Sequence, residues 1–204
     1  MATTYSQGVV VSPRLAAFQA RLATMHAHFC PRQVLGLRMG LYAGELLALE
    51  VPRDDKRLFV FVELDGCLAD AVSVSTGAWL GHRTLRLVDH GKTAATFVDV
   101  ASGRAIRIRP HAEARQRAAT YAPGARDRWH AQRDGYQVMP VDELLVADRV
   151  VLKIDLERLI STAGHRVSCT ACGEEIVNER EILADGRPRC RACTGEAYVG
   201  GVRQ

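Results

Sequence analysis

Four cysteines toward the C-terminal end have the spacing of a metal site. Cys169, Cys172, Cys190 and Cys193 read C-x2-C-x17-C-x2-C. This spacing is typical of zinc sites, in which four thiolates form a closed tetrahedral shell. A closed shell has no position for a substrate, so we predict a structural zinc. Two unrelated cysteine pairs, or redox C-x-x-C pairs, are the alternatives.

A second group of ligand-type residues precedes a proline near the N-terminal end. The segment reads His26-Ala27-His28-Phe29-Cys30-Pro31. Pro31 disfavours helical geometry at Cys30, and alternate residues of an extended chain share a face. His26, His28 and Cys30 would then point the same way. Two imidazoles and a thiolate form a partial shell for zinc or another borderline metal.

Cys67 is the fourth candidate for this second site. It follows an apolar run and an Asp65-Gly66 turn and begins a helical pattern, as Cys30 does before Pro31. Helix N-termini favour thiolates, so we expect both cysteines to ionise readily and to meet at one site. The alternatives are ordinary packed side chains, or a redox pair formed by Cys30 and Cys67.

The elements that position these residues follow from hydrophobic periodicity and turn signals. The predicted helices begin at Pro13 and cover 31–50, 67–79, 110–121 and 125–137, with one more turn at 140–143. Gly36, Gly40 and Gly44 form one stripe along the second helix, where another element can approach closely. The predicted strands cover 58–64, 84–88, 93–99, 105–109 and 150–156. This order indicates an α+β fold in which a mixed or antiparallel sheet packs with helices.

The chain of 204 residues is long enough for one large domain with a small appendage. Small residues at Ser161–Gly164 mark the boundary, so we predict an α+β domain over 1–160 and a zinc-ribbon-like module over 161–204. That module is too small for a core of its own, and metal ligation would supply the missing folding free energy.

The formal net charge is +4, and the positive charge is concentrated in one segment. Residues 104–133 contain eight arginines but only two carboxylates, Glu113 and Asp127. This segment is either an anion or nucleic-acid surface or a set of solvated helix faces. Few aromatic residues lie within it, and the cysteine-rich tail is neutral, so both features argue against nucleic acid. We expect His82, His90 and His111 at the surface.

The sequence also bears on location. No apolar run approaches the roughly 20 residues that a membrane span needs. Met1–Val11 lacks the basic and apolar regions of a secretory signal, so we expect a cytoplasmic protein. Thiols stay reduced there, which favours six cysteines that act as ligands or reactive groups rather than as disulfides.

Several segments together resemble the FmdE-like family, which takes its name from formylmethanofuran dehydrogenase. The stretch from His26 to Pro31, followed by Gly36-Leu37-Arg38-Met39-Gly40, resembles that family's H-G-H-x-C-P…G-x-R-x-G opening. The segments Asp65–Ala71, Ser75–Gly77 and Asp89–Phe97 agree as well, and the terminal four-cysteine module also occurs in that family.

The resemblance implies an α+β domain, usually dimeric, with a metal-capable cleft around the His/Cys motif. It carries His26, His28, Cys30 and Cys67 over as site residues, and Lys92 as a further cleft residue. Ala27 and Arg32 stand where the family has glycines, and Asp89-His90 replaces an Asp-Tyr pair. Arg32 near a cleft would add positive charge and favour an anionic substrate.

The leading hypothesis is a metalloprotein with a structural zinc and an open His/Cys site that binds a second metal, zinc being one option. That site would act on a small anionic or carbonyl substrate, with Cys30, Cys67 and Lys92 as catalytic candidates. One alternative is a non-catalytic partner that delivers metal or sulfur to a metalloenzyme or senses metal. The other is a nucleic-acid-binding regulator. We expect a homodimer in the first case.

Overall fold

The structure, a computed structural model, describes residues 11–160 and 164–200. The chain forms two compact units that divide between Val151 and Leu152. The boundary that the sequence predicts at Ser161–Gly164 falls mostly outside the described residues, as does most of the N-terminal segment Met1–Val11. Within the described ranges, none of the helices is both long and apolar enough to cross a bilayer.

The first unit contains six helices and a five-stranded sheet within the described residues. The helices are α1 (Pro13–Ala23), α2 (Pro31–Leu47), α3 (Cys67–Thr76), α4 (Ala114–Tyr121), α5 (Arg128–Val138) and α6 (Val141–Leu144). The strands are β1 (Leu58–Val62), β2 (Leu85–Leu87), β3 (Ala95–Asp99), β4 (Arg104–Pro110) and β5 (Leu145–Val150). The fold is therefore α+β.

The sheet is mixed, with the strand order β2-β1-β3-β4-β5. Its β1–β2 pair is parallel, and the remaining neighbours are antiparallel. Every residue of β1 and β3 is buried, as expected for strands covered on both faces. The main apolar core joins these strands to α2 and α3, with Val34, Met39, Val60, Leu68 and Phe97 fully buried.

Two glycines let α2 and α3 pack at very short distance. A Cβ on Gly36 would lie 2.7 Å from the Cβ of Ala71, and one on Gly40 would lie 2.8 Å from the Cβ of Ser75. Contacts advance in the same direction along both helices, so α2 and α3 run parallel. Their N-termini, at Cys30 and Cys67, consequently lie side by side. This confirms the close approach predicted from the glycine stripe.

The second unit has little apolar interior. It contains α7 (Leu156–Ile160), the strand pairs β6 (Arg166–Ser168) with β7 (Glu175–Val177) and β8 (Ile182–Ala184) with β9 (Arg187–Arg189), and a short 3-10 helix over Ala192–Thr194. Among its described residues, only Cys169 and Ile176 belong to the buried hydrophobic set. Two short hairpins that carry a four-cysteine group form a small zinc-ribbon-like domain.

Most predicted elements of the first unit are confirmed within a few residues, but the last predicted strand is wrong. The sequence predicts a strand over 150–156, whereas β5 ends at Val150. The pairing of β5 with β4 stops there, and Val151 is 92% exposed despite the alternation of Val151-Leu152-Lys153-Ile154. Backbone pairing with β4, rather than local alternation, decides where the strand lies.

Candidate metal centre and cationic cleft

Three of the predicted ligands converge at the N-termini of the parallel helices. One ligand atom each from His28, Cys30 and Cys67 lies within 4.8 Å of the others. Cys30 is the N-cap of α2 and only 9% exposed, and its N–H donates to Oε1 of Gln33 at 2.7 Å. Cys67 begins α3 directly after Gly66, whose φ of +68° turns the chain out of β1. An imidazole and two thiols therefore share one small volume.

His26 lies beside this group rather than in it. Its Nε2 is 2.9 Å from Oδ2 of Asp70, and its ring meets that of His28 edge to face, with 6.1 Å between centroids. The sequence predicts that His26 shares a face with His28 and Cys30 in an extended chain. The backbone instead bends at Ala27 and His28, so the simple alternation does not hold there.

The ionisation predicted for Cys67 is wrong for the thiol by itself. Burial raises the pKa of Cys67, and hydrogen bonding and negative charge from Cys30 raise it further, while Arg32 acts in the opposite direction. Two thiolates this close repel each other, so the pair needs a nearby cation to be fully ionised. A metal ion would supply that charge, because coordinated thiols lose their protons.

The three side chains lie in the wall of the largest cleft in the described part of the first unit, about 740 Å³ in volume. The cleft is bounded by the starts of α2 and α3, the loop before β3, strand β4, and helices α4 and α5. Its lining residues are His28, Cys30, Pro31, Arg32, Leu35, Cys67, Lys92, Thr93, Ala94, Arg107, Arg109, Pro110, His111, Ala112, Arg115, Trp129, Gln132 and Tyr136.

The cleft is strongly cationic. Five permanent cations line it, and no carboxylate does so among the described residues; the cations are Arg32, Lys92, Arg107, Arg109 and Arg115. The resemblance implies Lys92 as a cleft residue, and the structure places it in the cleft wall. Three of the arginines come from the basic segment 104–133, so part of that segment faces a cavity rather than an open surface.

Glu63 organises one side of this wall. Its carboxylate accepts two hydrogen bonds from Arg107, at 2.6 and 2.8 Å, which lower the pKa of Glu63 despite its burial. Its backbone carbonyl accepts from the N–H groups of His90 and Lys92, both at 3.1 Å. One buried residue thus fixes an arginine of the cleft and the loop that carries Lys92.

Helix α5 forms the opposite wall with Trp129, Gln132 and Tyr136, which recur at helical spacing. Burial raises the pKa of Tyr136, although the charge of Arg115 and a hydrogen bond with it act in the other direction. Arg38 of α2 donates to the carbonyls of Tyr136 and Met139 at the end of α5. This contact holds α5 against the helix that bears Cys30.

Sequence reasoning missed several lining residues. Arg107 and Arg109 alternate on one face of β4, and this alternation was the available signal. His111 also lines the cleft, contrary to the predicted surface position. His90 is exposed, with Nδ1 3.6 Å from a carboxylate oxygen of Glu63, and His82 is exposed as well. Trp129 and Arg115 reach the cleft only through tertiary packing.

The four cysteines of the second unit form a compact group. Their Sγ atoms all lie within 4.8 Å of one another, and those of Cys172 and Cys190 are 3.9 Å apart. Hydrogen bonds from the backbone N–H groups of Cys172 and Cys190 lower the pKa of Cys169 to about 6. The neighbouring thiols Cys190 and Cys172 raise the pKa of Cys193 to about 12. Four thiolates cannot ionise together here without a cation.

Both groups fit a metal ion by their chemistry. The four-cysteine group offers a complete set of soft ligands in a unit that has almost no buried apolar side chains, so metal ligation is what can hold it together. The His28–Cys30–Cys67 group offers three borderline-soft ligands beside a cleft. Three protein ligands with a fourth position free are characteristic of catalytic rather than structural zinc sites.

The fold and these groups define an α+β protein with two sets of side chains able to hold a metal ion. Residues 25–146 match the family described as FmdE, molybdenum formylmethanofuran dehydrogenase operon. Because this match covers more than half of the chain, the chain belongs to the FmdE family. The matched range contains His28, Cys30, Cys67, Lys92 and all the other lining residues of the cleft.

Two relatives are consistent with this assignment. The crystal structure of an FmdE-like protein of tungsten formylmethanofuran dehydrogenase from Syntrophus aciditrophicus has the same fold, with a TM-score of 0.59 at 19% identity. The match covers 91% of this chain and 94% of that one. A protein of Archaeoglobus fulgidus named "Probable S-adenosyl-L-methionine-binding protein" is 34% identical over 103 residues. That match covers 49% of this chain and only 28% of the relative.

Proposed function

We propose that this chain is a metal-dependent protein whose active centre is the His28–Cys30–Cys67 group, acting on a small anionic or carbonyl substrate in the adjoining cleft. The observation that carries the proposal is the convergence of these three ligand atoms within 4.8 Å in the wall of a cationic cleft. A purely structural metal site would have a closed shell and no adjoining cavity.

His28, Cys30 and Cys67 would hold the metal, which when bound supplies Lewis-acid polarisation of a carbonyl or acidic oxygen. The chain's own residues supply the rest of the site. Lys92, Arg109 and Arg115 bind and orient the negative charge of the substrate. The Cys30 and Cys67 side chains neutralise the charge of the ion, so the positive charge of the cleft wall remains available to the substrate.

For the second unit we propose a structural zinc held by Cys169, Cys172, Cys190 and Cys193. The tetrathiolate set and the scarcity of buried apolar residues support zinc in a purely structural role. The homodimer and the cytoplasmic location expected from the sequence stay predictions; light scattering of the purified chain would measure the first.

The test is metal analysis of the protein purified without added metal, followed by assay with candidate substrates. We expect two metal ions per chain in the wild type and one in Cys67→Ser, with the remaining ion retained by the four-cysteine group. Hydrolysis or rearrangement of a small acid or carbonyl compound should be lost in Cys67→Ser. One metal per wild-type chain would contradict the proposal.

A delivery or sensing role is the second candidate, and the exposed position of His28 favours it because a transferable ion needs an accessible ligand. Transfer of the second metal to a chelator within minutes, without turnover of any substrate, would support that role. S-adenosylmethionine, which the name of the Archaeoglobus relative suggests, carries a sulfonium and an ammonium cation. The cationic cleft argues against it as a ligand of this unit.

A further inference from the structure

The charge of the cleft specifies its ligand more narrowly than the metal centre does. Of the five lining cations, Arg107 is neutralised by Glu63, and Nε of Arg109 lies 3.8 Å from Oδ2 of Asp148. In the described ranges, Arg32, Lys92 and Arg115 have no carboxylate within 4.0 Å; the groups that do line the cleft beside them carry no negative charge apart from the two thiols.

A bound divalent ion does not remove this surplus. Its two positive charges would be matched by the thiolates of Cys30 and Cys67, so the metal group is neutral as a whole. The positive charges of Arg32, Lys92 and Arg115 then remain. A ligand with one negative charge would leave most of this charge uncompensated in a partly enclosed cavity, where like charges repel more strongly than in water.

The volume of the cleft supplies an independent constraint. At about 740 Å³ it lies within the range of pockets that enclose an organic molecule or cofactor, roughly 300–1,000 Å³. A one-carbon compound would leave nearly all of that space filled with water. The cations are also spread over separate elements, with Arg32 on α2, Lys92 before β3 and Arg115 on α4, so one compact anion cannot contact all three.

We propose that the cleft binds an organic molecule with at least two negative charges, a dicarboxylate or a phosphate ester, held by Lys92 and Arg115 on opposite sides of the cavity. Guanidinium forks match the geometry of both carboxylate and phosphate. This inference rests on the proposed function, because such a molecule would be the substrate that reaches the metal centre. It narrows the substrate from a small anion to an organic dianion.

The two tryptophans provide a site-specific readout. Trp129 lines the cleft and is 43% exposed, whereas Trp79 packs against the cluster formed by α1 and α3. In a two-dimensional ¹H–¹⁵N NMR titration of the full zinc-loaded chain at constant ionic strength, the indole resonance of Trp129 should shift and saturate. The indole of Trp79 should stay in place.

The probes are matched in size and differ in charge. Succinate is compared with butyrate, and glycerol phosphate with glycerol. We expect the dianions to bind at least tenfold more tightly than their partners. Lys92→Gln and Arg115→Gln should each weaken binding about tenfold, as expected for loss of one charge-assisted hydrogen bond. A preference for succinate or for glycerol phosphate would show whether carboxylate or phosphate is the natural group.

Arg126→Gln is the matched control, because Arg126 belongs to the same basic segment but does not line the cleft. It should leave binding unchanged. Equal binding of butyrate and succinate, or equal weakening by Arg126→Gln and Arg115→Gln, would overturn the inference. So would tight binding of a DNA or RNA oligonucleotide that competes for the Trp129 shift.

The same titration on Cys67→Ser separates this inference from the proposed function. We expect the dianions still to shift Trp129, because Lys92 and Arg115 do not depend on the metal. If the wild type holds one metal but binds dianions as expected, the metal centre fails and the anion site stands. If two metals are present and no dianion binds, the inference fails and the metal centre stands.

Discussion

At the scale of single residues, His26 and His28 show how two similar side chains two positions apart acquire different surroundings. His28 contributes a nitrogen to the group with Cys30 and Cys67, whereas Nε2 of His26 is engaged by Asp70. The bend at Ala27 and His28 separates them. A carboxylate on an imidazole nitrogen fixes the orientation of the ring, and such contacts commonly support a neighbouring metal site.

This difference predicts unequal effects of alanine substitution. His28→Ala should remove the second metal, because the three-ligand group loses one member. His26→Ala should keep two metals per chain and weaken the second by about tenfold to a hundredfold, in line with the loss of a supporting contact. Metal content and a competitive chelator titration measure both effects. Equal losses in the two variants would mean that His26 is itself a ligand.

Glu63 is the residue on which the cationic wall depends most. Its side chain is 9% exposed and holds Arg107, while its backbone holds the segment of His90 and Lys92. Because its pKa is lowered in the folded protein, the folded state holds the unprotonated carboxylate more strongly than the unfolded chain does. Glu63 therefore adds stability above its unfolded pKa, about 4.3, and this contribution is lost as the pH falls through the lower, folded value.

Glu63→Gln tests this dependence. At pH 7 it should reduce the free energy of unfolding by about 1–3 kcal/mol, because a buried charge-assisted hydrogen bond is lost. The difference from wild type should shrink below pH 4, where wild-type Glu63 becomes protonated. Urea denaturation at several pH values measures this, with Glu113→Gln on the exposed surface as the control. A difference that does not change with pH would contradict the ion-pair explanation.

At the scale of elements, the parallel pair α2 and α3 creates the metal centre. Antiparallel packing of the same helices would have placed Cys30 and Cys67 at opposite ends. The contacts of Gly36 and Gly40 with Ala71 and Ser75 keep the two axes close along their whole overlap. The separation of the sulfur atoms is thus set by glycines that lie one to three turns away from them.

Gly40→Ala should therefore disturb both stability and metal binding. The added Cβ would lie 2.0 Å from Oγ of Ser75, so the helices must move apart. We expect a loss of about 1–3 kcal/mol in the free energy of unfolding, as for other overpacked cores, despite the better helix propensity of alanine. The second metal should bind more weakly while the four-cysteine metal is retained. Gly124→Ala is the control, because nothing lies within 4 Å of its added Cβ.

Local sequence predicted the elements well because caps, glycines and periodicity are short-range signals. Pro13 and Pro31 at helix starts and the alternating run of β4 are examples. The error at β5 has a long-range cause, since the pairing with β4 ends where Ala105 meets Val150. The site follows the same division. Cys30 and Cys67 sit at helix starts that the sequence reveals, whereas Arg115 and Trp129 enter the cleft through packing between distant elements.

At the scale of the whole molecule, the two units are stabilised by different physical effects. The first unit has a continuous apolar core around Val60, Phe97 and Ile108. The second has two buried hydrophobic side chains among its described residues, and four thiols that oppose simultaneous ionisation. Burial of apolar area sustains the first without metal, whereas the second depends on ligation.

Metal removal should consequently unfold only one of the two units. After treatment with a strong chelator, amide hydrogens of residues 164–200 should exchange freely, while those of β1 and β3 stay protected. Hydrogen exchange measured by mass spectrometry separates the two regions. Cys172→Ser should give the same pattern without a chelator, and Cys67→Ser should not. Persistent protection of both regions after chelation would show that the second unit folds without metal.

The contact of Arg38 with the end of α5 has a consequence for the order in which the protein is made. Cys30 and Cys67 leave the ribosome well before Tyr136, with an interval of several seconds at bacterial rates of roughly 5–20 residues per second. During that interval the nascent chain carries both sulfur ligands without the helix that closes the far side of the cavity. Capture of the ion can therefore precede completion of the substrate chamber, and Arg38 fastens the chamber only when the last carbonyls of α5 have been synthesised.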